Sequence, residues 1–381
     1  MFPTGDSAGR EGTVNNMPAG FRLQFLQSRL KKRSVSTGSA DPTPKFCQAS
    51  GNPLLPPYLC GRKFLSMISR RNIRVKVMQT LYAQSTLDSA TPLSNSVAHL
   101  QKHYEQTRQL LVFLLWTLTE IGRQVEKHAL QKASKHLPTE ADLQINTKLA
   151  GNEILWEIQQ DTTLADHLKK NQGARHGMEN LIKEIHAHLL ESITYQQYIA
   201  QPSRTRSEEK KMLLQILNDQ MIEFEPYVEW LEYHFTNWED DAEAILQLLT
   251  QYLQKPGKLS GQKEGVSFQQ LIPADKWNFG KELLTTVIEK NEHLLSLIVP
   301  KLKNWDPERI ASLDMILMKM GLAELLYFET IPPKVTLNEY IDLAKEYSTA
   351  QSGQFVNGIL DNIHKELAEA GQLKKIEFRK S

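Results

Sequence analysis

The sequence predicts an all-α protein built of many antiparallel helices. Two observations support this fold class. From residue 67 onward, apolar residues recur at three- and four-residue spacing over long stretches. The alternation of apolar and polar residues that is typical of strands is absent. No stretch reaches the roughly 18 apolar residues that a membrane span needs, and 381 residues favour more than one unit.

Residues 1–66 differ from the remainder of the chain. They contain clusters of proline, glycine and serine and show no sustained helical period, so we predict disorder. Nine basic and three acidic residues give this segment a charge of +6, against +1 for the whole chain. Three interpretations stay open: a transit peptide, a basic arm that contacts nucleic acid, or an upstream start before translation from Met67.

Composition excludes several classes of protein. A net charge of +1 is untypical of a globally basic nucleic-acid binder, so any such function requires a local patch. Only Cys47 and Cys60 are present, which excludes a disulfide scaffold, an iron–sulfur cluster and a four-cysteine zinc site and favours a cytoplasmic protein. The phosphate-loop and hydrolase motifs are missing, so we expect no enzyme, cofactor or metal site.

The helices can be assigned in chain order from their apolar spacing. The strongest patterns lie within Val97–Leu137, residues 207–236 and Trp277–Leu302. The pattern from residue 310 to 326 is apolar over a wide arc, which predicts a central helix.

Capping residues also predict where the C-terminal helices begin. Asp306 can cap that central helix, with Pro307 as its first residue. Thr336 begins a capping box for a helix over Leu337–Tyr347, and Ser352 can cap the last helix.

One short segment is strongly basic. Four cations fall within seven residues with no acid before Asp88: Arg70, Arg71, Arg74 and Lys76. On a helix the three arginines lie beside an apolar stripe, and Lys76 lies on the far side of that stripe. The stripe consists of Ile73, Val77, Thr80 and Leu81. The arginines suit phosphate because a guanidinium binds two oxygens at once, but a solvated helix start would show the same composition.

Two regions resemble the NusB family of bacterial transcription antitermination factors. The first contains Arg70-Arg71-x-x-Arg74 followed by Gln79-Thr-Leu-Tyr82. The second contains Asn304-Trp-Asp-Pro-Glu-Arg-Ile-Ala-Ser-Leu-Asp314, Ile331-Pro-Pro-Lys-Val-Thr-Leu-Asn-Glu339 and Ser352-Gly-Gln-Phe-Val-Asn-Gly-Ile-Leu-Asp361. The resemblance covers about residues 67–84 and 275–366. Residues 85–274 have no counterpart in a compact family member, and Gln354 replaces a residue that is usually basic.

The resemblance implies an all-α fold of two packed helical bundles with an expanded N-terminal subdomain and without a cofactor or catalytic activity. Residues 67–302 would form the N-terminal subdomain, including an insertion at 85–274. Residues 303–371 would form the C-terminal bundle, and 372–381 a basic tail.

The resemblance also implies a function and its residues. The family binds boxA RNA of ribosomal RNA leader transcripts together with NusE, which is the small-subunit ribosomal protein S ten, within the RNA polymerase antitermination complex. The implied RNA-binding residues are Arg70, Arg71, Arg74, Lys76, Phe355 and Asn357. The implied NusE-binding residues are Tyr82 and Asp314. Phe355 could stack on a base or fill the core, Tyr82 could be a core aromatic, and we expect the Asp314 carboxylate to be exposed or paired.

Two alternatives remain. The chain could be a helical scaffold in ribosome biogenesis that does not bind RNA directly, and RNA affinity separates this reading from the first. NusB-like domains also open certain ribosomal RNA cytosine methyltransferases, which need a following Rossmann-like domain and a catalytic cysteine. This chain ends about 20 residues after Asp361, and its cysteines precede Met67, so we do not expect a methyltransferase.

Overall fold

The computed structural model describes residues 68–86, 92–160, 162–170, 177–254, 274–302, 310–349 and 351–376. Within these ranges the regular structure is helical, with fifteen α-helices, one π-helix and one 3₁₀ turn, and the all-α prediction is confirmed. None of the described helices is long and apolar enough to cross a membrane. The prediction of disorder for residues 1–66 lies outside the described residues.

The helices are numbered in chain order. The α-helices are α1 Arg70–Ser85, α2 Leu93–Ala133, α3 Glu140–Leu143, α4 Glu153–Gln160, α5 Thr162–Lys170, α6 Met178–Glu191, α7 Ile193–Ala200, α8 Arg206–Gln215, α9 Glu225–His234, α10 Trp238–Gln254, α11 Ala274–Glu289, α12 Asn291–Ile298, α13 Ser312–Tyr327, α14 Pro333–Tyr347 and α15 Ser352–Glu369. The π-helix Ile216–Ile222 continues α8, and the 3₁₀ turn Val299–Lys301 continues α12.

The chain divides into two compact units. One, which we call the inserted unit, contains described residues 120–155 and 177–239. The other, which we call the framework unit, contains described residues 68–119, 156–170 and 240–376. This division differs from the predicted boundary after residue 302, because α1, α11 and α12 share one apolar core with the C-terminal helices.

The inserted unit is organised around the π-helix, which packs against α6, α8 and α9. Helix α6 buries Met178, Ile182, Ile185 and Leu189, which recur at three- and four-residue spacing and therefore lie on one face. These side chains pack into the core of this unit.

The framework unit is organised around α13, which contacts α1, α11, α12, α14 and α15. Ten of its residues are buried, including Asp314 and Glu324, so the prediction of a central helix is confirmed. Helix α11 approaches α1 and α2 closely at Gly280. A Cβ atom there would lie 2.4 Å from the Tyr104 hydroxyl and 2.9 Å from Ile73 Cγ2.

Three predicted helix starts differ from the structure. Helix α13 begins at Ser312, after Ala311, whose ψ of 128° is not helical, while Asp306 and Pro307 lie outside the described residues. Helix α14 begins at Pro333, a residue type that suits the first helical position, so the capping box at Thr336 was wrong. Ser352 is the first residue of α15 and not its cap.

Candidate RNA-binding and partner-binding residues

Arg70 is the exposed arginine at the start of α1. The Ser69 side chain caps this helix by accepting a hydrogen bond from the backbone N–H of Asn72, which fixes where the first turn begins. The Arg70 guanidinium carbon lies 5.5 Å from the centre of the Phe279 ring on α11. This distance is that of a cation–π contact, so the ring supports a charged group that stays open to solvent.

Arg71 is half-buried and paired with acids of α14. Its guanidinium lies 2.6 Å from a Glu346 carboxylate oxygen and 3.5 Å from one of Glu339, and its side chain is 26% exposed. These two carboxylates neutralise much of the positive charge that the sequence placed beside Arg70.

Arg74 is buried, and the prediction that it shares an exposed phosphate-binding edge was wrong. Its Nε and Nη2 atoms donate to the two carboxylate oxygens of Glu324 on α13, at 2.9 and 2.7 Å. The hydroxyls of Thr336 and Tyr340 donate to the same carboxylate at 2.8 and 3.1 Å. Burial alone lowers the pKa of Arg74, but the hydrogen bonds to Glu324 and the neighbouring negative charges raise it above the usual value.

Lys76 is also buried, so its predicted contact with RNA was wrong for the folded protein. The ammonium group lies 2.6 Å from a carboxylate oxygen of Asp241 on α10, and the two side chains are 1% and 2% exposed. Thr107 of α2 donates to the same carboxylate at 2.6 Å. Side chains of α10 thus meet the face of α1 that the helical wheel left open, through this ion pair and through a hydrogen bond from Gln79 to Asp240.

Phe355 and Asn357 lie at the start of α15. Asn357 is exposed, whereas Phe355 is half-buried and packs against the framework core. This end of α15 meets the start of α13, where Ser352 donates to Asp314, while Arg74 meets α13 ten residues further along at Glu324. Ten helical residues span about 15 Å. Arg74 is therefore separated from the start of α15, whereas Arg71 is tied to the end of α14, where Ser348, two residues after its partner Glu346, meets Ser352.

The two predicted partner-binding residues differ in exposure. Tyr82 lies in the last turn of α1 and is 46% exposed. Asp314 is buried, and its carboxylate accepts a hydrogen bond from Ser352 at 2.7 Å, which joins α13 to α15. The expectation that Asp314 is exposed or paired is met by pairing, but a buried carboxylate offers no surface to a partner.

Lys276 is a basic residue that the sequence pattern did not single out. It lies in the first turn of α11, three residues before Phe279, and is half-buried. Burial lowers its pKa first, and the positive charge of Arg70 lowers it further. The sequence pattern did not reveal Lys276 as a neighbour of Arg70, because the two residues are about 200 positions apart in the chain. Among the described residues, no group of three side chains is arranged to hold a metal ion.

Comparison with known proteins places this chain beside NusB proteins. The NusB family model matches residues 240–365. "Transcription antitermination protein NusB" of Chloroherpeton thalassium is 34% identical over 35% of this chain and 64% of its own length. The protein of the same name from Salinibacter ruber is 41% identical over 26% of this chain and 61% of its own length. The chain thus spans less than two thirds of these two relatives.

Another relative is covered more completely. The "Transcription antitermination protein NusB" of Methylacidiphilum infernorum is 34% identical over 32% of this chain and 87% of its own length. No solved structure matches the chain. The matched region covers most of α10, all of α11 to α14 and most of α15, whereas α1 and α2, which also contribute to the framework core, lie outside it. This chain belongs to the NusB family.

Proposed function

We propose that this chain is an RNA-binding transcription antitermination factor. In this proposal it acts in the cytoplasm with NusE on boxA elements of ribosomal RNA leader transcripts, as part of the RNA polymerase antitermination complex. The observation that carries the proposal is the family match at residues 240–365, whose relatives are named for transcription antitermination.

The framework unit supports the proposal through the placement of α1. Two buried ion pairs tie this helix to the matched region, Arg74 to Glu324 and Lys76 to Asp241. They hold the first turn of α1 in a fixed position with Arg70 on the surface. A guanidinium binds phosphate through two parallel hydrogen bonds, so Arg70 is the best placed of the sequence-derived candidates for the RNA backbone.

A scaffold function is the second candidate, and one observation favours it. Of the four basic residues at the start of α1, Arg74 and Lys76 are buried and Arg71 is paired with Glu346. The free positive charge is therefore smaller than the sequence suggested. A scaffold in ribosome biogenesis would keep the helical framework without direct affinity for RNA.

RNA titration of the full chain separates the two candidates. The probes are a boxA-like RNA and a scrambled RNA of equal length, each titrated at several salt concentrations with and without NusE. We expect preference for the boxA-like RNA, and Arg70→Ala to flatten the slope of log affinity against log salt by about 0.7, the value for one phosphate contact on a single strand.

The matched control is Arg123→Ala, which removes an arginine of the inserted unit that is 49% exposed and should leave the slope unchanged. Equal and weak binding of both RNAs, with and without NusE, would favour the scaffold and contradict antitermination through boxA.

The proposed contact with NusE has its own test. Tyr82→Ala should weaken NusE binding because the side chain is exposed, whereas Tyr233→Ala removes a tyrosine that is 83% exposed in the inserted unit and should not. Equal affinities in a calorimetric titration would remove Tyr82 from the interface. Asp314→Lys is not a suitable test, because it would replace a buried carboxylate with a buried ammonium group and destabilise α13.

A further inference from the structure

Burial lowers the pKa of Lys276 of α11, and Arg70 of α1 lies close enough for its charge to lower that pKa further. Lys276 precedes Phe279 by three residues in α11, so the two side chains lie on one face of that helix. The Arg70 guanidinium carbon lies 5.5 Å from the centre of the Phe279 ring. Residues from the starts of α1 and α11 therefore bring two cations together at the surface of the framework unit.

The positive charge of this pair is not balanced by an ion pair, unlike that of the neighbouring cations. Arg71, Arg74 and Lys76 each have a carboxylate within 2.7 Å. In the described part of the chain, no ion pair joins Arg70 or Lys276 to an acid; the charge of exposed Asp275, the residue before Lys276, raises the pKa of Lys276 by less than the Arg70 charge lowers it. Two adjacent like charges repel each other, and an anion bound between them removes that cost.

We propose that Arg70 and Lys276 form a two-cation site that binds one phosphate of the RNA backbone, with Phe279 positioning the Arg70 guanidinium. This inference rests on the proposed function and extends it to a residue of α11. A guanidinium and an ammonium group both donate hydrogen bonds to phosphate oxygens. The Phe279 ring is only 7% exposed, so it is covered by the protein and is not a platform for base stacking.

The site therefore contacts the RNA backbone and not the RNA bases. Phosphate contacts position the protein on the RNA without carrying sequence information. Loss of Lys276 should weaken the binding of boxA-like and scrambled RNA by similar factors.

The test compares Lys276→Ala with Lys281→Ala in the full chain. Lys281 is an exposed lysine of the same helix, five residues further on and about 140° around the axis. We expect Lys276→Ala to flatten the salt slope of RNA binding by about 0.7 and Lys281→Ala to leave it unchanged. Hydrogen exchange of the α11 amides in Lys276→Ala should be unchanged or slower, because a repulsion with Arg70 is removed.

Two further variants define the site. Lys276→Arg keeps the charge and should keep the wild-type slope. In Arg70→Ala combined with Lys276→Ala, the fold-loss of affinity should differ from the product of the single losses, because both side chains hold the same phosphate.

The outcomes distinguish this inference from the proposed function. If Arg70→Ala weakens RNA binding while Lys276→Ala behaves like Lys281→Ala, the two-cation site is wrong and RNA binding stands. The site is also wrong if Lys276→Ala lowers affinity and accelerates hydrogen exchange of α11, and Lys276→Arg restores neither. If the wild-type chain does not prefer boxA-like RNA, the proposed function itself fails.

Discussion

Replacing Glu324 by glutamine tests the buried cluster that holds α1 against α13 and α14. The Glu324 carboxylate is fully buried and accepts four hydrogen bonds: two from Arg74, one from Thr336 and one from Tyr340. Glutamine has nearly the same shape but only one acceptor oxygen, and its amide N–H groups must face donors. The variant therefore leaves the buried Arg74 charge with only the partly exposed Glu339 carboxylate, at 3.4 Å, as a counter-charge.

The size of the effect follows from the burial of the pair. The side chains of Arg74 and Glu324 are 3% and 0% exposed, so water cannot replace the lost partner. Removing one member of a buried ion pair costs about 3–5 kcal/mol. A cost of this size is a large fraction of the roughly 5–15 kcal/mol that stabilises a typical folded domain.

Hydrogen–deuterium exchange resolves this loss within the framework unit. Because the chain has two units, one global melting curve is a poor measure of the stability of either. Amides of α13 and α14 that exchange by unfolding of the framework unit should exchange roughly 150- to 5,000-fold faster in Glu324→Gln.

The matched control is Glu346→Gln, which removes a carboxylate that is 22% exposed and pairs with Arg71. A partly exposed pair is worth roughly 0.2–1 kcal/mol, so exchange should accelerate less than about sixfold. If both variants accelerate exchange equally, or if Glu324→Gln has no effect, the buried cluster does not hold these helices together.

Two further predictions concern packing and pH. Gly280→Ala should destabilise the framework unit by about 1–3 kcal/mol, because its Cβ would lie 2.4 Å from the Tyr104 hydroxyl. Gly358→Ala should stabilise α15 by about 0.5–1 kcal/mol, because its Cβ would meet nothing within 4 Å beyond its chain neighbours and the backbone of its own helix. The hydrogen-exchange rates of α11 and α15 check the sign of each effect. Burial lowers the pKa of His186 from 6.5 to about 4. The unfolded chain therefore binds a proton before the folded one, and the inserted unit should lose stability as the pH falls from about 6.5 to 4. Calorimetry at stepped pH should show a smaller loss for His186→Gln, and equal losses would contradict the assignment.

The sequence by itself determined the helical class and much of the apolar pattern. Ile73, Val77 and Leu81 were predicted to form the buried stripe of α1, and they are 0%, 0% and 8% exposed. The wide apolar arc of α13 predicted a central helix, and that helix packs against five others. These predictions succeed because apolar periodicity records which face of a helix is removed from water. The motifs of the C-terminal third were also sufficient for the resemblance to the NusB family.

Only the tertiary structure decided which charges remain available for binding. Arg74 meets Glu324 across 250 residues and Lys76 meets Asp241 across 165, and a helical wheel describes directions around one axis only. It cannot show that α13 packs against α1 or that acidic side chains of α10 and α14 pair with cations of α1. The same limit hid Lys276, which neighbours Arg70 through the packing of α11 on α1. Charge on a helix is readable from the sequence, but its exposure depends on the helices that pack against it, because burial is a property of the whole fold.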